Sequence, residues 1–154
     1  MHLPGRALAV LAVLAASTAS AQTVKETLEV TRQAAETQRR VLVSGALIMT
    51  DAEAKDFWPL YDAYEKERRP IDERANRLVA DFIATYTTMS DTVAKAMLVE
   101  ELNVEALRLK LRRDYMERMG RALPPRKLVR FFQIENKLDA VIRADLSRQI
   151  PLVP

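Results

Sequence analysis

Apolar residues recur at steps of three and four from Phe57 through Tyr61, Tyr64, Ile71, Ala75, Leu78 and Phe82 to Tyr86, with Arg68 in the one missing turn. That spacing puts a continuous apolar seam on one side of a helix from Thr50 to Tyr86, and no period-two pattern competes with it. Thr50 and Glu53 have the spacing of a capping box, and Asp51 sits near the positive end of the helix dipole. Pro59 and Pro70 each remove a backbone donor, so each kinks the helix or restarts it, with Asp56 or Arg69 as the cap of a new segment. They lie about three turns apart and project opposite the seam, which favours one helix bowed with its apolar face concave.

The rest of the chain supplies helices to cover that seam. Thr23 to about Val43 is polar and helix-favouring, with Val24, Leu28, Thr31, Ala35 and Gln38 along one side. Val41–Met49 is more apolar, and Gly45 is the expected break before the Thr50 cap. Ser90-Asp91 opens the next helix, expected over Asp91–Met119 with Gly120 as its C-terminal stop. Val93, Met97, Val104, Leu107 and Leu111 line one side of it, and Leu98, Leu102, Leu109 and Met116 form a second stripe. A helix with two apolar stripes touches two neighbours, within the chain or across a dimer. Leu123-Pro124-Pro125 turns the chain into a last helix, about Arg126 to Gln149, carrying Leu128, Phe131, Phe132, Leu138, Val141, Ile142 and Leu146. The fold class is therefore all-α, with about four helices, the second stripe calling for a further neighbour within the chain or in a homodimer.

Composition narrows the chemistry. Met1–Arg6 is short and basic, Ala7–Ala16 is apolar, and Ala19-Ser20-Ala21 has the small-x-small form of a signal-peptidase site. The run is too short to span a bilayer, so residues 1–21 read as a cleaved secretory signal and 22–154 as a single all-helical exported domain. An uncleaved N-terminal anchor is the alternative. The only histidine, His2, leaves with the signal, and the 154-residue chain has no cysteine. Histidine or cysteine triads, thiol redox chemistry and the usual zinc and copper sites are then out of reach, and no disulfide assists folding. No catalytic residue, cofactor or metal site is expected, and the chain reads as a non-enzyme.

Charge is unevenly placed along the net +3 chain: from Arg108 to Arg130, Asp114 and Glu117 are the only acids among nine basic residues. The turn between the last two helices is thus a basic corner, facing unfolded acidic segments, acidic partner proteins or anionic lipid headgroups rather than nucleic acid. A solvated surface with pairs such as Asp114/Arg118 and Glu117/Arg121 is the plainer explanation. Glu100, Glu101 and Glu105 are a compact acidic group, better explained by salt bridges such as Glu105 with Arg108 than by a cation site. Trp58, Tyr61 and Tyr64 offer aromatic contact to an extended segment or serve as core, with Trp58 on the flank of the seam. The candidate client or partner surface is therefore Trp58, Tyr61, Tyr64, Arg112, Arg113, Arg126, Lys127 and Arg130.

The helix start Met49-Thr50-Asp51-Ala52-Glu53-Ala54, after a signal peptide and in a cysteine-free helical chain, resembles the Spy/CpxP-like periplasmic proteins, whose LTxxQ motifs open helices. Met49-Thr50 stands at the Leu-Thr pair, and Glu53 or Ala54 at the glutamine. Leu123-Pro124-Pro125-Arg126-Lys127 occupies the second family-like position with proline in place of threonine, followed by Arg130-Phe131-Phe132-Gln133-Ile134-Glu135-Asn136-Lys137. The resemblance implies a bent helical hairpin of about four helices in the periplasm, pairing as a cradle-shaped antiparallel homodimer, that holds unfolded envelope proteins without ATP under envelope stress. The alternative role that it implies is a regulator docking on the periplasmic domain of an envelope-stress or metal-responsive sensor.

Overall fold

The computed structural model describes residues 37–148 and 150–154. The expected signal segment, the cleavage point after Ala21 and most of the expected Thr23–Val43 helix lie outside the described residues. Within them the chain is all-α, with α1 over 37–46, α2 over Asp51–Thr85, α3 over Asp91–Met119 and α4 over Pro125–Ser147, and no strand.

The local signals act as their chemistry requires. Thr50 Oγ1 accepts from the Glu53 amide, and Glu53 Oε2 accepts from the Thr50 amide at 2.7 Å, so the capping box is formed in both directions. α2 runs through both prolines as one element, which sets aside the restart at Asp56 or Arg69. Pro59 and Pro70 are both exposed, so the backbone bonds they remove are lost on the side of α2 away from the core. Ser90 caps α3 by accepting from the Val93 amide, and Pro125 takes the first position of α4, where a missing N–H costs nothing.

One glycine departs from expectation, and another ends its helix as expected but by different means. Gly45 lies inside α1, and the helix ends only after residue 46. Gly120 follows α3 with φ −65°, in right-handed rather than left-handed geometry. Its value is space: a Cβ there would stand 3.0 Å from the Met116 carbonyl oxygen and 3.4 Å from Leu128 Cδ2, so its absence lets α4 come close to the end of α3.

α2 and α3 form an antiparallel hairpin, and α4 returns from the Gly120–Pro124 turn in the same direction as α2. The core sits at one end of the hairpin, where Phe57, Tyr61 and Tyr64 meet Leu111, Tyr115, Met119, Leu123 and Phe131, with Val43 and Leu47 added from the α1 side. Rings stack edge to face, Phe57 with Phe131 at 5.3 Å and Tyr64 with Tyr115 at 5.2 Å between centroids. Such pairs add about 0.5–1.5 kcal/mol each beyond the area they bury. Past Arg68 the seam changes character: Ile71, Ala75, Leu78 and Phe82 are only partly covered.

Candidate binding surface

At the boundary between the two halves of the seam lies a string of alternating charges that crosses all four helices. Arg39 of α1 donates from Nη1 to Glu135 at 2.7 Å and from Nη2 to Asp139 at 2.8 Å, both on α4. Arg68 of α2 reaches the same Asp139 oxygen at 3.5 Å, Asp72 at 3.5 Å and Glu65 at 3.2 Å. Arg108 of α3 continues it, to Asp72 at 3.1 Å and to Glu105 at 2.8 Å, and Arg143 of α4 approaches Glu105 at 3.8 Å. Arg68 thus fills the missing turn of the seam because carboxylates surround it, and it is 8% exposed.

Burial and pairing oppose each other along this string, and burial prevails at the carboxylate Glu135. It pushes the Glu135 carboxyl above its ordinary range, against the pull of Arg39 and Arg68. Burial also works against the Arg39 cation, but Glu135 and Asp139 more than offset it and hold Arg39 above its usual value. The Tyr61 and Tyr64 hydroxyls are both raised by burial. Tyr115 is pushed up to about 12 by burial and by its hydrogen bond to Glu67.

Beyond the charges, α2, α3 and α4 separate and leave an open cleft of about 470 Å³. Ala75, Leu78 and Phe82 of α2, Val104 of α3, and Leu146 and Ile150 at the end of α4 make its walls. Glu101, Glu105, Arg108 and Arg143 also line it, giving an apolar hollow a charged border. The unfilled half of the seam is therefore a surface as well as a packing element.

The sequence-based candidates divide. Tyr61 and Tyr64 are 1% and 2% exposed, so in this packing they are core and offer no surface, because Phe57, Phe131 and Tyr115 enclose them. Trp58 is partly buried, its ring covered by the Arg40 guanidinium at 4.6 Å. Arg112 bonds Asn136 and lies 5.8 Å from the Phe132 ring, while Lys127 is tied to Glu53 at 2.5 Å. Arg113, Arg126 and Arg130 are exposed on the basic corner. Asp114 accepts from Lys110, and Arg118 lies over the Tyr115 ring and reaches Glu67 at 3.7 Å. In the acidic group, Glu105 pairs with Arg108 as expected, and Glu100 with Arg74.

Among the described residues nothing covers the second stripe of α3: Leu98, Leu102, Leu109 and Met116 are between 49% and 70% exposed. Sequence reasoning missed Arg39, Glu135 and Asp139 altogether. Their one visible signal was an arginine four residues before Val43 on the apolar side of α1. Among the described residues no three histidine, cysteine or carboxylate side chains are placed to hold a metal, and no helix is long and apolar enough to cross a membrane. Comparison with models of known protein families, with curated proteins and with solved structures found no match, so a functional reading of this surface rests on its own residues and geometry.

Proposed function

We propose that the chain is a periplasmic binding protein of the Spy/CpxP-like kind, an ATP-independent chaperone that shields apolar segments of unfolded clients. The observation that carries this reading is the cleft walled by Ala75, Leu78, Phe82, Val104, Leu146 and Ile150. An unfolded chain presents apolar side chains beside charges, and an open apolar hollow with acids and arginines at its edge suits such a segment without fixing its sequence. Arg113, Arg126 and Arg130 supply long-range attraction for acidic clients.

The working form is an antiparallel homodimer joined along the outer row of α3. Two features support it. Leu98, Leu102, Leu109 and Met116 form an exposed apolar row too extensive to leave in water without reason. Charge along α3 is also polarised: Asp91, Glu100, Glu101 and Glu105 outnumber Lys95 in the first half, while Arg108, Lys110, Arg112, Arg113 and Arg118 outnumber Asp114 and Glu117 in the second. Antiparallel pairing sets the acidic half of each copy against the basic half of the other.

The test is suppression of aggregation of two unrelated denatured proteins, without nucleotide and at near-stoichiometric amounts. The chaperone protects both. A regulator that docks on one sensor domain protects neither, and that result would reverse the reading.

A further inference from the structure

α1 lies in a groove between α2 and α4 and touches it through a short, regular set of residues. Among its described residues and the one that follows, Arg39, Val43 and Leu47 are buried, at positions i, i+4 and i+8. Gln38 before them and Arg40, Val41, Leu42 and Ser44 between them are exposed. Val43 and Leu47 join the aromatic cluster of Phe57, Tyr61 and Phe131, and Arg39 ends in the carboxylates of Glu135 and Asp139. Arg40 covers the groove's rim by pairing with Asp62 over the Trp58 ring.

The groove is better built than its occupant. Its floor is a packed set of rings, with Phe57, Tyr61 and Phe131 between 5.3 and 6.1 Å apart, fixed by α2 and α4. Its closed state leaves Arg39 Nε, the Tyr61 hydroxyl and Glu135 Oε1 buried without hydrogen-bond partners. Buried unpartnered polar atoms oppose the contact that buries them, so α1 is held less firmly than its covered area implies. Segments held this way are the ones that open locally while the rest of a domain stays folded.

The geometry points to α1 as an internal stand-in for a client helix: the groove of Phe57, Tyr61, Phe131, Glu135 and Asp139 accepts an amphipathic helix carrying a basic residue followed at i+4 and i+8 by aliphatic residues, and α1 gives way to it. This is helix-in-groove recognition, with aliphatic anchors on the rings and one cation in the acidic end. The inference rests on the chaperone reading for the nature of the occupant. It also returns a binding role to Tyr61 and the Trp58 flank, which α1 covers.

A fluorescein-labelled peptide copying residues 37–50 tests it, added to the full chain and followed by anisotropy together with hydrogen exchange. The peptide should bind an Arg39→Gln chain at least ten-fold tighter than wild type, because the chain's own α1 competes less. Binding should speed exchange of the amides at 41–47 and leave those at 104–119 unchanged. A peptide carrying Arg39→Glu should bind at least ten-fold more weakly than the native peptide. If Arg39→Gln does not fold, Val43→Ala, which keeps every charge, should give the same tightening. Equal affinity for the charge-reversed peptide, binding without faster exchange in α1, or no binding to wild type or variant at about 1 mM overturns the proposal. A chain that binds the peptide as expected but protects no client keeps the groove and loses the chaperone reading. One that protects clients yet gives any of those three results loses the groove alone.

Discussion

Arg39 and Glu135, 96 residues apart in the chain, meet at 2.7 Å with both side chains almost wholly out of water. Each charge is tolerable there because the other is present, and Asp139 and Arg68 extend the pairing on either side. A buried pair of this kind contributes little net stability, since desolvation cancels most of the attraction. What it does is fix which face of α1 meets α4, at a level of the bundle where the apolar seam is interrupted.

The Glu135 carboxyl gives this pair a pH signature. Burial raises it above the ordinary value of 4.5, with Arg39 and Arg68 pulling the other way. The folded chain then holds a proton in a range where the unfolded chain has released it, so the stability from this group is full below the ordinary value and lost as pH rises through the folded one. Urea midpoints taken from neutral pH down toward 4.5 should move in favour of wild type relative to Glu135→Gln. A difference that moves the opposite way would mean that Arg39 outweighs burial and holds Glu135 ionised.

At the start of α2 the sign is opposite. The Lys127 ammonium and the Thr50 amide hold the Glu53 carboxyl below its ordinary range. Its contribution is present above that range and lost as pH falls through the lowered value. Glu53→Gln should therefore flatten the acid limb of the stability curve, and Thr50→Ala should cost about 1 kcal/mol at any pH by removing the cap acceptor. Equal acid limbs in wild type and Glu53→Gln would show that the Lys127 contact does not persist in solution.

The positions of α2, α3 and α4, the Thr50 and Ser90 caps and the α3–α4 turn were legible in the sequence, because they follow from local spacing and capping chemistry. The Glu105–Arg108 pair was legible for the same reason, being one turn apart on one helix. The string from Arg39 to Arg143 was not, since its members lie on four helices and pair only once those helices dock. Tyr61 and Tyr64 also needed the packing: periodicity places them on the seam but does not say that only half of the seam is covered. Gly120 ends α3 as its residue type suggested, but what it provides is close contact with Leu128 and not backbone freedom.

The outer row of α3 makes a prediction separable from folding. Leu102 and Leu109 are 70% and 51% exposed, so changing both to Glu removes little intramolecular packing. Wild type should sediment as a dimer at tens of micromolar, where even a weak pair forms, and the double variant as a monomer of unchanged helicity. A monomeric wild type at that concentration contradicts the dimer.

The basic corner should act on rate. Arg113, Arg126 and Arg130 are exposed, and at physiological ionic strength their field reaches about 8 Å. Changing all three to Gln should slow capture of acidic clients several-fold at low salt and leave capture nearly independent of salt. Stopped-flow capture by wild type and variant that falls in parallel with added salt would assign the steering to other charges.

The claim on which the rest depends is that unfolded segments enter the cleft between α2, α3 and α4. Phe82 lies on its wall, partly covered, and the photoreactive side chain p-benzoylphenylalanine is a close replacement for it. Irradiation with either of two unrelated denatured clients should join client to this position, and excess unlabelled client should suppress the product. Full protection against aggregation with no cross-link from position 82 would contradict the account, because clients would then be held somewhere else.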